Sequence, residues 1–131
     1  MWGSLAKLMD IVRVSLKIRT EKHKIISANI ANVDTPGYRR KDLSFERAIQ
    51  TYLSQERALR TTKDRHFPVR GRTIEEVFGI YQPQTLGTPN NVNLEEEMVS
   101  LTENQLLYES TLQALAKELE RLREIISEGG R

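Results

Sequence analysis

Two stretches of the chain repeat apolar residues at alternating steps of four and three. In the first, Leu5, Met9, Val12, Leu16, Arg19, His23, Ile26, Ile30 and Val33 keep that spacing, which lines them along one seam of an α-helix packed on another helix. Arg19 and His23 are the polar breaks, of the kind that fixes register at some cost in stability. Leu8, Ile11, Ile18 and Ile25 widen the stripe to a second face, so this helix is expected to meet more than one neighbour. The pattern predicts a helix over residues 3–33, a rod of roughly 45 Å.

In the second stretch Leu94, Met98, Leu101, Gln105, Tyr108, Leu112, Leu115, Leu119, Leu122 and Ile126 follow the same spacing, and Gln105 is the one polar member. Asn93 stands as N-cap with Glu96 three residues on, the capping-box arrangement, and Glu95, Glu96 and Glu97 put negative charge at the positive end of the helix dipole. Gly129 and Gly130 end the run. A helix over residues 93–127 with such a seam needs a partner. The predicted fold is therefore all-α: long N- and C-terminal helices forming an antiparallel coiled-coil pair, with an irregular or extended middle (residues 34–92) containing one short helix, all within a single domain of residues 1–131.

Between the helices, residues 27–38 carry the chemistry of an abrupt stop. Pro36 fixes φ at the second position of a turn and pushes Thr35 toward an extended backbone, and Gly37 supplies the positive φ that a type II turn needs third. Asn32 sits where an asparagine closes a helix in the left-handed conformation, and Ala28 and Ala31 are small enough for another backbone to come close. Asn29 either lies on the helix surface of a stretch that only ends the helix, or, as is expected here, turns its amide to a neighbour. Tyr38 either covers the helix end or anchors that neighbour. Further on, Phe45, Ala48, Ile49, Tyr52 and Leu53 share one side of a short helix with Ser44 as N-cap and Glu46 in its first turn. Pro68, Pro83, Pro89, Gly71, Gly79 and Gly87 exclude a long helix over residues 61–93, and weak alternation over 77–82 predicts a short strand or extended arm.

Composition narrows the function. With 131 residues, 38% hydrophobic, three Phe and one Trp, the chain is poor in material for a compact core, so an elongated shape or an obligate partner is expected. It has no cysteine, which excludes disulfides, zinc thiolates and a thiol nucleophile, and His23 and His66 alone are too few for a metal centre or a catalytic triad. No phosphate loop, dinucleotide fingerprint or nucleophile elbow occurs. A non-enzyme without metal or cofactor is expected. No apolar run approaches the roughly 20 residues of a membrane span.

Charge is split along the chain. Residues 1–33 carry a net +4, residues 34–72 a net +5 and residues 73–131 a net −7. A nucleic-acid-binding helical hairpin using the basic region 39–72 is the alternative function, but Arg39, Arg40 and Lys41 have no interleaved aromatics to stack bases and read as a solvated loop. The acidic remainder favours pairing of the chain with its own ends or with copies of itself.

The run Asn29-Ile-Ala-Asn32 followed by Thr35-Pro-Gly-Tyr38 resembles the signature near the N-termini of bacterial flagellar rod, hook and related axial proteins. The short length and residues 90–98 are similar to the proximal-rod members; residues 50–87 match loosely, chiefly at 61–66. The resemblance implies a structural subunit of the basal-body rod that self-assembles through paired terminal helices into a torque-transmitting tube. It implies export through the flagellar type III apparatus without a cleaved leader, and residence in the periplasm-spanning rod. The implied partners are copies of itself, other axial proteins, and basal-body ring and export-apparatus components, with no nucleic acid and no membrane insertion. It also implies that Ser27, Ala28, Asn29, Ala31, Asn32, Thr35, Pro36, Gly37 and Tyr38 form a subunit contact.

Overall fold

A computed structural model describes residues 2–60 and 83–129. Among them are three helices, α1 (Trp2–Ala31), α2 (Phe45–Arg60) and α3 (Leu94–Glu128), and two short strands, β1 (Lys41–Asp42) and β2 (Gln84–Thr85). The strands pair antiparallel, Lys41 opposite Thr85 and Asp42 opposite Gln84. The weakly alternating residues 77–82 lie outside the described residues.

The long helices run antiparallel, as expected of a chain that goes out along one and returns along the other. Asn29 near the end of α1 bonds Glu97 near the start of α3, whereas Arg19, further back on α1, offers its carbonyl to Asn104, further along α3. The second apolar face of α1 is covered from the other side at Ile18 and Ile25, whereas Leu8 and Ile11 stay exposed. Val14 and Ile18 are buried with Leu43 and Ala48, and Ile25, Phe45, Ile49 and Tyr52 pack against that cluster. Thus α1 is the shared wall between α2 and α3.

The starts of α2 and α3 each have a local chemical cause. Ser44 caps α2, its carbonyl accepting from Ala48 N–H at 3.1 Å and its hydroxyl from Arg47 N–H at 3.4 Å. The Glu46 carboxyl is held below its ordinary pKa by its own backbone N–H and then by the Ser44 hydroxyl. Asn93 caps α3, its side-chain oxygen accepting from the N–H groups of Glu95 (3.0 Å) and Glu96 (3.4 Å). The Asn93 side-chain amide donates in turn to the Glu96 carboxylate at 3.2 Å, in place of the backbone N–H that a capping box uses.

The stop after α1 is the expected turn. Tyr38 N–H donates to the Thr35 carbonyl at 3.2 Å, and Gly37 has φ +76° in the third position. Asn32 departs from expectation. Among described non-glycine residues only Asn90 has a positive φ, so Asn32 does not end α1 in the left-handed conformation. Its side chain does the work, the amide donating to the Ala28 carbonyl at 2.8 Å while its oxygen accepts from the Thr35 hydroxyl at 3.1 Å.

Ile18 is 1% exposed at the centre of the α1–α2 cluster. Ile18→Ala is expected to cost about 2–5 kcal/mol of folding stability, whereas Leu106→Ala, on an open face, should stay within about 0.5 kcal/mol. Urea titration followed by circular dichroism measures both.

Candidate functional site

The turn brings the end of α1, residues 37–43 and the start of α3 into one place, and Asn29 stands at their centre with no exposed surface. Its amide nitrogen donates to the Lys41 carbonyl (2.8 Å) and to Glu97 Oε2 (3.1 Å). Its oxygen accepts from the Tyr38 hydroxyl (3.0 Å) and from the Lys41 N–H (3.0 Å). Both donors and both acceptor positions of the amide are used. The side chain therefore holds one orientation.

Glu97 is equally enclosed, and its other carboxylate oxygen accepts from Arg40 Nε in an ion pair. A buried carboxylate is costly unless paired and hydrogen-bonded, and here Arg40 and Asn29 supply both. The Arg40 guanidinium is pushed above its ordinary pKa chiefly by the hydrogen bond to Glu97. Burial, and then the Glu97 charge, push the Tyr38 phenol up, so its proton stays available to Asn29.

The segment leading into α3 is tied to the same turn. Leu86 N–H donates to the Arg40 carbonyl (2.8 Å), and Asn90 N–H to the Tyr38 carbonyl (2.8 Å). Arg40 N–H donates to Asn91 Oδ1 (2.9 Å) and Gly37 N–H to Asn90 Oδ1 (3.0 Å). Asn91 also donates to the Leu86 carbonyl at 2.7 Å. Gly87, at φ +65°, leaves room for this: a Cβ there would sit 2.6 Å from Asn91 Nδ2.

Two expectations are corrected by this geometry, and a third residue gains a role. Asn29 is enclosed by its own chain and does not lie on the helix surface. Arg40 is engaged with Glu97, and only Arg39 and Lys41 of that basic run are exposed. Glu97 serves as a buried acceptor, beyond its place near the helix dipole. Tyr38 is half-buried with its hydroxyl on Asn29, whereas Ser27, Ala28, Ala31, Thr35, Pro36 and Gly37 are exposed. Residues 61–72 of the basic region lie outside the described residues.

The heptad positions of α3 divide between two sides. Leu101, Tyr108, Leu115 and Leu122 are half-buried, and the buried or half-buried residues alternating with them are Glu97, Asn104, Thr111 and Glu118. Leu94, Met98, Leu112 and Leu119 are exposed, at 45%, 52%, 41% and 45%. Within the single chain, α3 thus turns a polar flank inward and an apolar flank outward.

Comparison with known proteins bears on what such a chain is. Over 119 residues it is 33% identical to the flagellar basal body rod protein FlgB of Aquifex aeolicus, covering 90% of this chain and 91% of that one. The chain belongs to the FlgB family of flagellar basal body rod proteins. The FlgB of Aeromonas hydrophila is 29% identical over 122 residues, 91% of this chain and 92% of that one. The FlgB of Escherichia coli K12 is 28% identical over 125 residues, 88% of this chain and 89% of that one. A family model described as flagella basal body rod protein matches residues 20–39, the span that contains Asn29, Asn32 and the turn.

Among the described residues no group of three His, Asp or Glu is placed to hold a metal, and no helix is long and apolar enough to cross a membrane. Sequence reasoning missed Glu97 and Asn104 as inward-facing residues. Their signal was present in the spacing of Glu97, Asn104, Thr111 and Glu118, which is itself a seven-residue repeat beside the apolar one.

Asn29→Ala removes four hydrogen bonds at once and leaves Glu97, Tyr38 and both polar groups of Lys41 short of a partner. At about 1–3 kcal/mol for each buried group left unsatisfied, the soluble chain should lose several kcal/mol of stability. Gly37→Ala, in the exposed turn, should cost roughly 1 kcal/mol through its positive φ. Thermal melts of the two variants should rank in that order. An Asn29→Ala chain that melts with the parent would show that the hub adds nothing to folding.

Proposed function

We propose that this chain is a non-enzymatic structural subunit of the proximal rod of the bacterial flagellum, one that polymerises through its terminal helices into a tube carrying torque. The observation that carries this reading is the outward apolar flank of α3, Leu94, Met98, Leu112 and Leu119, on a helix already paired with α1. Among the described residues these apolar positions stay exposed on a helix that is already paired, and burying them against further helices is the ordinary way such a ridge is stabilised. Export without a cleaved leader, a periplasm-spanning location, and contacts with other axial proteins, the basal-body ring and the export apparatus belong to the same proposal. So does a contact role for the exposed members of the turn stretch, Ser27, Ala28, Ala31, Thr35, Pro36 and Gly37.

Two leucines three residues apart separate folding from assembly. Leu112→Asp places a charge on the outward flank, so the isolated chain should keep its stability to within about 0.5 kcal/mol while rod assembly and swimming are lost in a strain lacking the native copy. Leu115→Asp places it on the half-buried side and should destabilise the chain itself. Wild-type swimming by a normally expressed Leu112→Asp protein would overturn the proposed contact.

A further inference from the structure

The first half of α3 carries a second uncovered apolar row. Val99 and Leu106, one heptad apart, are 58% and 63% exposed, more than Leu112 and Leu119 of the outward flank at 41% and 45%. The two rows stand about 100° apart around the helix, and Glu95, Thr102, Glu109, Ala116 and Arg123, all exposed, form the row between them. A helix that is apolar on this many sides is built to be surrounded. Its own chain packs α1 on the remaining side.

We propose that Val99 and Leu106 receive Leu112 and Leu119 of a second copy, the two α3 helices lying parallel and shifted by about two heptads, roughly 20 Å. This inference rests on the proposal that the outward flank is a contact between copies, and it names the surface that the flank meets. Because different faces of the two copies touch, the contact is heterologous and repeats from copy to copy without closing a pair.

Polar residues in both rows select the shift. The outward row is interrupted at Gln105, and the row of Val99 and Leu106 continues into Gln113 and Glu120. Without a shift, Leu112 would lie beside Gln113 and Leu119 beside Glu120. One heptad of shift matches Leu112 with Leu106 but leaves Leu119 on Gln113, and three heptads carry Leu112 past Leu94, the first residue of α3. Two heptads place both leucines on apolar partners at once. Every other register strands a leucine on an amide, on a charge or beyond the helix end.

Charge points to the same arrangement. In parallel helices joined in this way the intervening rows of the two copies run side by side along one edge of the contact. Unshifted, Glu95, Glu109 and Arg123 would each face their own counterpart. Shifted by two heptads, Arg123 meets Glu109, which in the single chain accepts a surface bond from Gln105 at 3.1 Å. One like pair remains, Glu109 with Glu95.

The chain has no cysteine, so single reporters can be introduced. Full-length Ala116→Cys chains are mixed under mild oxidant with mass-tagged Thr102→Cys chains, two positions that the shift brings level. The mixed disulfide should exceed either like-with-like product about tenfold. Leu106→Asp should lower it about tenfold when carried by the Thr102→Cys chain and leave it unchanged when carried by the Ala116→Cys chain, while Leu112→Asp should do the opposite. Like-with-like products in excess that are lost with Leu112→Asp, or a mixed product that survives Leu106→Asp in the Thr102→Cys chain and is lost with Leu112→Asp, overturn the shifted contact while leaving the outward flank as a contact between copies. Products indifferent to Leu112→Asp, or no intermolecular disulfide in any mixture, overturn both.

Discussion

One buried side-chain amide, that of Asn29, determines how the ends of this chain are placed. Apolar seams draw two helices together, but they are tolerant of rotation and of sliding by a turn. A fully used amide is not. Asn29 reaches the backbone of Lys41 on one side, the Tyr38 phenol on another and the Glu97 carboxylate on a third, so the turn, the strand pair and the start of α3 are all referred to one residue of α1. Glu97 in turn holds Arg40, whose backbone is gripped by Leu86 and Asn91. Loss of any member leaves a charge or dipole buried without a partner, which is why such a cluster is either complete or unstable.

That arrangement explains how α3 can serve two faces. Leu101, Tyr108, Leu115 and Leu122 are common to both seams, and the flank chosen beside them decides which neighbour is met. The chain spends the polar flank on its own α1, where Asn29 and the Arg19 carbonyl await Glu97 and Asn104. Directional bonds suit a contact that forms once and in one way. The apolar flank remains outward, where non-directional burial suits a contact repeated along a polymer.

Much of the fold was legible in the sequence because its signals are local. The Asn93 cap, the Pro36–Gly37 turn, the Ser44 start of α2 and the double face of α1 each follow from a few adjacent residues. What escaped was the assignment of partners. Periodicity reports that α3 has a seam but not which flank α1 takes, since Glu97 and Met98 are neighbours in sequence and lie only about 100° apart around the helix. Burial of Asn29, Arg40 and Glu97 was hidden for a second reason: polar residues read as surface until their partners are known, and these partners lie 57 and 68 positions apart in sequence. Asn32 ends its helix through its side chain, an option equally open to asparagine and invisible to a rule about backbone conformation.

The bonds around Asn29 all lie at one end of the long helix pair, next to the turn. Beyond Asn104, the pair is joined along Tyr108, Leu115 and Leu122 by contacts without that directionality. The molecule is therefore a hairpin clamped at its hinge, with arms whose length is independent of the clamp. Residues added or removed in sevens from both distal arms would move the tip by about 10.5 Å each time and leave the hinge untouched. Reach and orientation are set by different parts of the chain, so one can vary while the other is kept.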